Sequence, residues 1–348
     1  MFARAFVLVI LFASPLFSQD WNARTTAQYL DSRQKEWFEW PTAKQAEGPC
    51  VSCHTNMTYL FARPALRRQL AENQPTSYET GLLDALRARV QKKTPDQLAA
   101  KPTQALGVEA VFSALFLTLQ DAGKKELDPL TLRAFDQLWA LQVKDGKNKG
   151  AFPWFSLELD PWEMPESAYY GASIAAIAVG SAPAAYRNRP DVKEHVSALI
   201  AYLQRERESQ PLHNQAAVLW ASSKLPGILS EAARKAIIVE ILSKQHSDGG
   251  WTIESLGPWA PHPQAVPAQG SNGYGTAFIA FALQQGGIQR NNAQLSRALT
   301  WLRSNQDSAS GTWQANSLNK QYPAGSMQSR FMQDAATAFA ALALTDQR

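Results

Sequence analysis

Two stretches of the sequence decide the fold, KAIIVEILSKQHSDGGW at 235–251 and RALTWLRSNQDSASGTW at 297–313. Each begins with a basic residue and Ala, continues with apolar residues at helical spacing, and then places Gln, Gly and Trp in that order. Gln245 and Gln306 lie 61 residues apart, and a weaker copy occupies 133–154. Recurrence at a fixed period indicates a repeat architecture in which each unit is one supersecondary element.

Each copy is followed by a second kind of segment, rich in Ala and nearly free of charge, such as SAYYGASIAAIAVG at 167–180 and DAATAFAALAL at 334–344. A helix that is apolar all round must be buried, whereas its charged predecessor faces water on one side. The chain therefore alternates outer and inner helices. The predicted pairs are 24–38 with 55–72, 78–92 with 105–121, 127–141 with 165–179, 190–205 with 213–224, 230–244 with 272–286, and 293–304 with 333–345.

The predicted fold class is all-α, a single α/α toroid of about six outer/inner helix pairs whose inner helices line a central cavity. Closure into a ring removes the exposed ends that a solenoid must otherwise cap. An open helical solenoid is the alternative. We expect an N-terminal helical hairpin over 20–75 and toroid repeats over 76–348, continuous in one ring.

The Gln-Gly-Trp repeats resemble those of the squalene–hopene cyclase family, the prenyltransferase/squalene-oxidase repeat proteins. The resemblance extends from about residue 130 to the C-terminus. It implies that the Gln caps the outer helix and that the Trp packs at the start of the inner one. The structural residues are then Gln142, Trp154, Gln245, Trp251, Gln306 and Trp313. A Gln amide can pair with free helix-end carbonyls, and Trp buries a large area, so the side-chain chemistry agrees.

The cyclases use an acidic DxDD motif to protonate an alkene, and this sequence contains none. The nearest match is FMQDAATA at 331–338, where Asp334 stands alone. An Asp at the start of a helix is favoured as an N-cap, so we predict capping rather than acid catalysis for it. A shared fold does not carry the reaction with it, and cyclisation of the DxDD type is not expected.

Composition limits the function classes further. Hydrophobic residues make up 45% of the 348 residues, enough for a sizeable core, and 34 basic against 30 acidic residues give a net charge of +4. That mild balance, without basic runs among aromatics, argues against nucleic-acid binding. With two cysteines, a disulfide scaffold is excluded.

Residues 1–19, MFARAFVLVILFASPLFSQ, have the pattern of a cleaved signal peptide: Arg4, then an apolar run, then Leu16 and Ser18 at a cleavage site. The alternative, a membrane anchor, would need about 20 apolar residues. We expect a bacterial-type leader, a periplasmic or secreted protein, and no transmembrane anchor after its removal.

Both cysteines fall in CVSCH, formed by Cys50, Val51, Ser52, Cys53 and His54. CxxCH is the attachment pattern of c-type haem. The two thiols form thioethers to the haem vinyl groups, and the following His becomes the proximal iron ligand. The predicted cofactor is one covalent haem c, with Cys50, Cys53 and His54 as its binding residues. In c-type cytochromes attachment takes place outside the cytoplasm, in keeping with the predicted export.

Two other interpretations of CVSCH remain open. A redox dithiol usually occurs in a thioredoxin-like βαβ context, which the sequence does not predict. A zinc site needs further ligands, and no second Cys/His pair follows.

The distal iron ligand is less defined. If the ring closes, the last inner helix neighbours the first, and its approach contains Met327 and Met332, either of which can offer a thioether sulfur. Methionine is more often core filler, and a five-coordinate iron is the alternative. His213 is expected across the ring. Three arginines, Arg63, Arg67 and Arg68, are candidates for pairing with haem propionates.

Further polar groups are expected near the cavity mouth, namely Glu109, Glu163, Glu166, Tyr169, Tyr170, Asn272 and Tyr274. Glu163 and Glu166 are one helical turn apart. Carboxylates gather at helix N-termini without any catalytic role, so we assign none to this pair.

Together these features favour an exported mono-haem c-type protein on a cyclase-like toroid, acting in electron transfer or in haem-dependent oxidation or reduction beside an apolar cavity. A redox partner protein is expected, and the resemblance implies an isoprenoid or another apolar ligand. The alternatives are a non-haem terpene cyclase or lyase, or an isoprenoid-binding module, with a CxxC disulfide. Whether the protein is an enzyme stays open.

Overall fold

The computed structural model describes residues 21–347, and this part of the chain is helical without any strand. The leader predicted at 1–19 therefore lies outside the described residues. Fourteen α-helices occur between residues 21 and 347: α1 Ala23–Glu39, α2 Asn56–Gln69, α3 Ser77–Lys92, α4 Pro95–Ala100, α5 Gln104–Gln120, α6 Pro129–Ala140, α7 Ala168–Ser181, α8 Ala184–Arg187, α9 Pro190–Glu206, α10 Leu212–Ser222, α11 Glu231–Ser243, α12 Gly273–Gln285, α13 Ala293–Ser304 and α14 Phe331–Thr345. The all-α prediction is confirmed.

The helices are of two kinds, as the alternation of charge predicts. The first kind, α2, α5, α7, α10, α12 and α14, is buried over most of its length; every residue of α12 is buried. The second kind, α1, α3, α6, α9, α11 and α13, buries one face only. All twelve predicted helices are present, and the short helices α4 and α8 are additional.

The buried helices contact one another in chain order, α5 with α7, α7 with α10, α10 with α12, and α12 with α14. The last helix, α14, then packs on the first pair, α1 and α2. Phe61 of α2 meets Phe116 of α5, with 5.2 Å between ring centroids. The two ends of the described chain are thus in direct contact.

Aromatic rings fill the place where the buried helices meet. Trp220 of α10 lies 5.0 Å from Phe61 and 4.9 Å from Phe281 between ring centroids, and Phe281 lies 5.9 Å from Phe339 of α14. The inner helices were expected to line a central cavity; where these rings meet, side chains fill the space between the helices. Sequence patterning shows that a helix is buried but not how its large side chains interdigitate.

The repeated Gln residues join one unit to the next. Gln245 Nε2 donates to the carbonyl oxygen of Gly249 in its own unit and to that of Gln294 in α13, each at 2.8 Å. Gln306 Nε2 likewise donates to Gly311 O and to Asn22 O, each at 3.2 Å, just before α1. The pair of Gln hydrogen bonds that connects two successive units therefore also connects the last unit to the start of α1.

Two of the three repeated Trp residues, rather than the Gln residues, cap outer helices, whereas the indole of Trp154 donates to Trp162 O at 2.8 Å. Trp251 Nε1 donates to Ile241 O near the end of α11 at 2.8 Å, and Trp313 Nε1 donates to Leu302 O near the end of α13 at 2.7 Å. Each indole thereby satisfies one of the free carbonyls at a helix C-terminus. This differs from the division of roles implied by the cyclase resemblance.

Gly311 shows why the repeats require glycine after the Gln. Its φ is +74°, and a Cβ at this position would lie 2.5 Å from the Thr25 backbone carbon in α1. A residue without a side chain is needed both for the left-handed conformation and for the close approach. Within the described residues, no helix is long and apolar enough to cross a membrane.

Candidate functional site

The CVSCH segment lies in the connection between α1 and α2, and its backbone is held at both ends. Cys50 N donates to Ala43 O at 2.8 Å, and the Trp37 indole donates to Cys50 O at 2.8 Å. Ser52 N donates to the Asn56 side chain at 2.9 Å at the start of α2. Because backbone groups are fixed on both sides, the two thiols and the imidazole have defined positions.

The cysteines open onto a cavity of about 220 Å³, which is also lined by Val108, Phe155 and Glu163. Cys53 is buried and Cys50 is partly buried. Burial raises the pKa of both thiols, that of Cys53 most strongly and with a further contribution from Glu163. Redox-active dithiols carry a cysteine of lowered pKa, so this environment does not favour the dithiol interpretation.

The imidazole of His54 is held in one tautomer. Its Nδ1 lies 2.9 Å from Thr55 Oγ1, and the Thr55 hydroxyl donates to Asp334 Oδ2 at 2.8 Å. A hydroxyl has a single hydrogen, so Nδ1 must carry the proton shared with Thr55 Oγ1. Burial lowers the pKa of His54 to about 3. The ring is therefore neutral with its lone pair on Nε2, the form that binds a metal.

Aromatic rings fix the plane of His54. Phe331, the first residue of α14, stacks on the imidazole at 3.6 Å between centroids, and Trp37 and Trp162 lie at 5.9 and 6.0 Å. His54 lines a second cavity, of about 330 Å³. Glu163 lines both cavities, so the thiols and the imidazole face adjoining spaces.

The two candidate distal methionines have different surroundings. Met332 lines the same cavity as His54. Met327 lies against Arg33 instead, whose guanidinium donates to its Sδ and to its carbonyl oxygen, each at 3.2 Å. The structure thus brings Met332, but not the sulfur of Met327, to the space beside the imidazole. Axial ligation itself stays a prediction.

Two of the three candidate arginines on α2 form ion pairs with carboxylates of the protein. Arg63 pairs with Asp31 at 3.0 Å and with Glu72 at 2.6 Å, and Arg67 pairs with Glu79. Arg68 is exposed. A different arginine, Arg89 of α3, lines the cysteine cavity, and no local signal near CVSCH could have indicated it.

Asp334 is not an N-cap, and that prediction was wrong. Helix α14 already begins at Phe331, which places Asp334 inside its first turn. The carboxylate is 1% exposed and accepts hydrogen bonds from Arg33 Nε at 2.8 Å and Arg33 Nη2 at 3.0 Å. The Tyr29 hydroxyl donates to it at 2.8 Å. Burial raises the pKa of Asp334, and these donors oppose the rise.

Most of the other expected polar groups serve the core. Tyr169, Tyr170 and Tyr274 are buried, and Asn272 caps α12. His213 is also buried and lies 2.8 Å from the Tyr274 hydroxyl. Of the carboxylates, Glu109 and Glu163 line the cysteine cavity. Asp160, which the sequence did not single out, lines the His54 cavity and is 6% exposed. Its pKa is raised to about 6 by burial and by Glu166.

Among residues 21–347, no group of three or more His, Cys, Asp or Glu side chains is arranged to hold a metal ion. A porphyrin supplies its own four nitrogen ligands, so a haem iron asks the protein for axial ligands alone. Comparison with known proteins found no family model that matches this chain and no curated protein similar to it.

Proposed function

We propose that this chain is an exported mono-haem c-type protein that carries electrons. The single observation that carries the proposal is CVSCH itself, whose two thiols line one cavity while the neutral His54 lines the adjoining one. Covalent haem attachment needs two cysteine thiols and a histidine directly after the second one, which is the spacing of CVSCH. When bound, haem c supplies an iron centre that takes up and releases one electron.

The residues present fit that group. Cys50 and Cys53 would hold it by thioethers, and His54 would bind its iron through Nε2, the nitrogen that keeps a lone pair. Phe331, Trp162 and Phe155 offer apolar walls around the two cavities. Met332 is the better candidate for the second axial ligand, because the sulfur of Met327 already accepts a hydrogen bond from Arg33.

We infer that the helical pairs form a closed α/α toroid. Two observations support this: α14 contacts both α1 and α2, and Gln306 binds the start of α1 as Gln245 binds α13. Resemblance to the squalene–hopene cyclases remains part of the proposal and rests on the Gln-Gly-Trp repeats.

Electron transfer asks less of the site than conversion of an apolar substrate, because a bound haem carries electrons without any substrate. The cavity beside His54 has both polar side chains, such as Asp160, Asn319 and Lys320, and apolar ones, such as Trp162, Phe331 and Met332. Conversion or binding of an apolar ligand stays the alternative. Electron transfer requires a second redox protein that donates electrons to this chain or accepts them from it.

The test is to export the full chain from a bacterium that attaches c-type haem, and to measure the mass of the intact polypeptide after denaturation. We expect the mass of one haem to remain bound, together with a pyridine haemochrome spectrum. Cys50→Ala and Cys53→Ala should each lower covalent retention, and His54→Ala should change the spectrum of the bound haem. The matched control is His246→Ala, a histidine in the connection after α11 that lines neither cavity. An unmodified mass in the exported chain would overturn the proposal.

A further inference from the structure

The Nδ1 side of His54 is joined to a buried network that spans the first and last helices. The imidazole N–H donates to Thr55 Oγ1 at 2.9 Å, and the Thr55 hydroxyl donates to Asp334 Oδ2 at 2.8 Å. Arg33 of α1 donates twice to the same carboxylate, at 2.8 and 3.0 Å. Every hydrogen bond in this series therefore points toward Asp334.

This network is shielded from water. Thr55 and Asp334 are 1% exposed and Arg33 is fully buried. In such a setting electrostatic interactions are stronger than in water, and each hydrogen bond polarises the next. Metal-binding histidines commonly donate their second ring N–H to a carboxylate or carbonyl, which fixes the ring and raises its basicity. In this protein the imidazole of His54 is connected to the Asp334 carboxylate through the Thr55 hydroxyl.

We propose that Thr55 and Asp334 are positioning residues for His54, which hold its imidazole with Nε2 available and make it a more electron-rich ligand. The inference rests on the proposed haem function and assigns two residues to it. An electron-rich axial ligand favours the oxidised iron, so the network lowers the reduction potential.

A purely structural role predicts something different. If the network only packed α14 against α1 and α2, its loss would change the free energy of unfolding but leave the tautomer of His54 and the reduction potential unaltered. Thr58 offers a matched control, because its hydroxyl is equally buried and donates to the His54 carbonyl oxygen at 2.6 Å, not to the ring.

The first measurement needs no haem. In the full chain produced without a haem-attachment system, ¹⁵N NMR of His54 should show a proton on Nδ1 and a bare Nε2. Thr55→Val should weaken this preference, because Nδ1 then keeps the longer contact to Ser52 Oγ at 3.4 Å. Thr55→Ser should keep the preference, and Thr58→Val should leave it unchanged. A proton on Nε2 in the unmutated chain would overturn the proposal, whatever the variants do.

The second measurement uses the haem-loaded chain. Thr55→Val and Asp334→Asn should raise the reduction potential, whereas Thr55→Ser and Thr58→Val should stay close to the unmutated protein. Equal potentials in Thr55→Val and Thr58→Val would overturn the proposal. If the exported chain carries no haem while the NMR result holds, the proposed function fails and the histidine network stands, so the two failures are distinguishable.

Discussion

The ion pair between Arg33 and Asp334 connects the first helix to the last, and its removal should be among the most destabilising single changes in the protein. Both side chains are essentially buried, at 0% and 1% exposure. Removing one partner of a buried pair leaves the other charge without compensation, at a cost of about 3–5 kcal/mol. We therefore expect Asp334→Ala to lower the free energy of unfolding by that amount.

Removal of Arg33, the other partner of the pair, should lower the free energy of unfolding by an amount that depends on pH. Arg33→Met leaves Asp334 with the Tyr29 and Thr55 donors but without the cation that opposes its desolvation. When the pKa of a carboxyl is higher in the folded protein than in the unfolded chain, the free energy of unfolding falls as the pH rises. The cost of Arg33→Met should accordingly be smaller at pH 5 than at pH 8.

The assay is urea denaturation followed by far-UV circular dichroism, applied to both single variants and to Arg33→Met/Asp334→Ala. Because the double variant removes both charges of the buried pair, it should recover about 2 kcal/mol or more relative to the sum of the two single changes. Glu231→Ala is the control. It breaks the exposed Arg234–Glu231 pair and should cost less than about 1 kcal/mol. If Asp334→Ala costs no more than Glu231→Ala, or if the double variant is additive, the reasoning is refuted.

Three further predictions concern the repeats and the cavity. Gln306→Ala removes hydrogen bonds to Asn22 and Gly311, and Gln245→Ala removes the equivalent ones inside the chain. Each change should lower the free energy of unfolding by about 1–3 kcal/mol. A cost near zero for Gln306→Ala in urea denaturation would mean that these hydrogen bonds contribute nothing to the contact between the chain ends. Gly311→Ala should destabilise by more than about 1 kcal/mol in the same assay, since its φ is +74°, and an unchanged midpoint would contradict the strain. The pKa of Asp160 is about 6 in the folded protein against 3.8 in an unfolded chain. The free energy of unfolding should therefore fall by up to ~3 kcal/mol as the pH rises from about 4 to 6. Asp160→Asn should reduce this dependence of stability on pH, and an unchanged dependence would show that Asp160 does not cause it.

The repeat pattern predicted the long helices well because their signals are local. Helix α13 begins and ends where the sequence analysis places it, at 293 and 304, and α7 differs by three residues at its start and by two at its end. Helices α4 and α8 were missed because they have six and four residues, too few for a helical period to appear. Charge alternation separated most buried helices from half-buried ones because an uncharged segment is readily surrounded by others. Helix α2 is the exception, and its buried Arg63 is paired with Asp31 and Glu72.

The site was predicted only in part, because some of its residues form a contiguous motif and others are far apart in the sequence. CVSCH is a contiguous chemical motif, so five residues in a row are enough to indicate it. Arg33 and Asp334 are separated by 301 residues, and nothing near either of them in the sequence marks the other as its partner. Asp334 was instead interpreted by its local context as a helix cap. The capping expectation failed because tertiary contacts set the start of α14 at Phe331, one turn earlier.

The position of CVSCH at the contact between the first and last helices has a consequence for how the site forms. The plane of His54 is set by Phe331 and its Nδ1 proton by Thr55 and Asp334, so two of these three partners belong to α14. The cysteines, by contrast, depend on Trp37 and Ala43, which are close in sequence. The backbone of the cysteines is therefore fixed in part by residues close in sequence, whereas the orientation of the imidazole depends on the C-terminal helix. If His54 binds a haem iron as proposed, residues from both ends of the described chain set the properties of that iron.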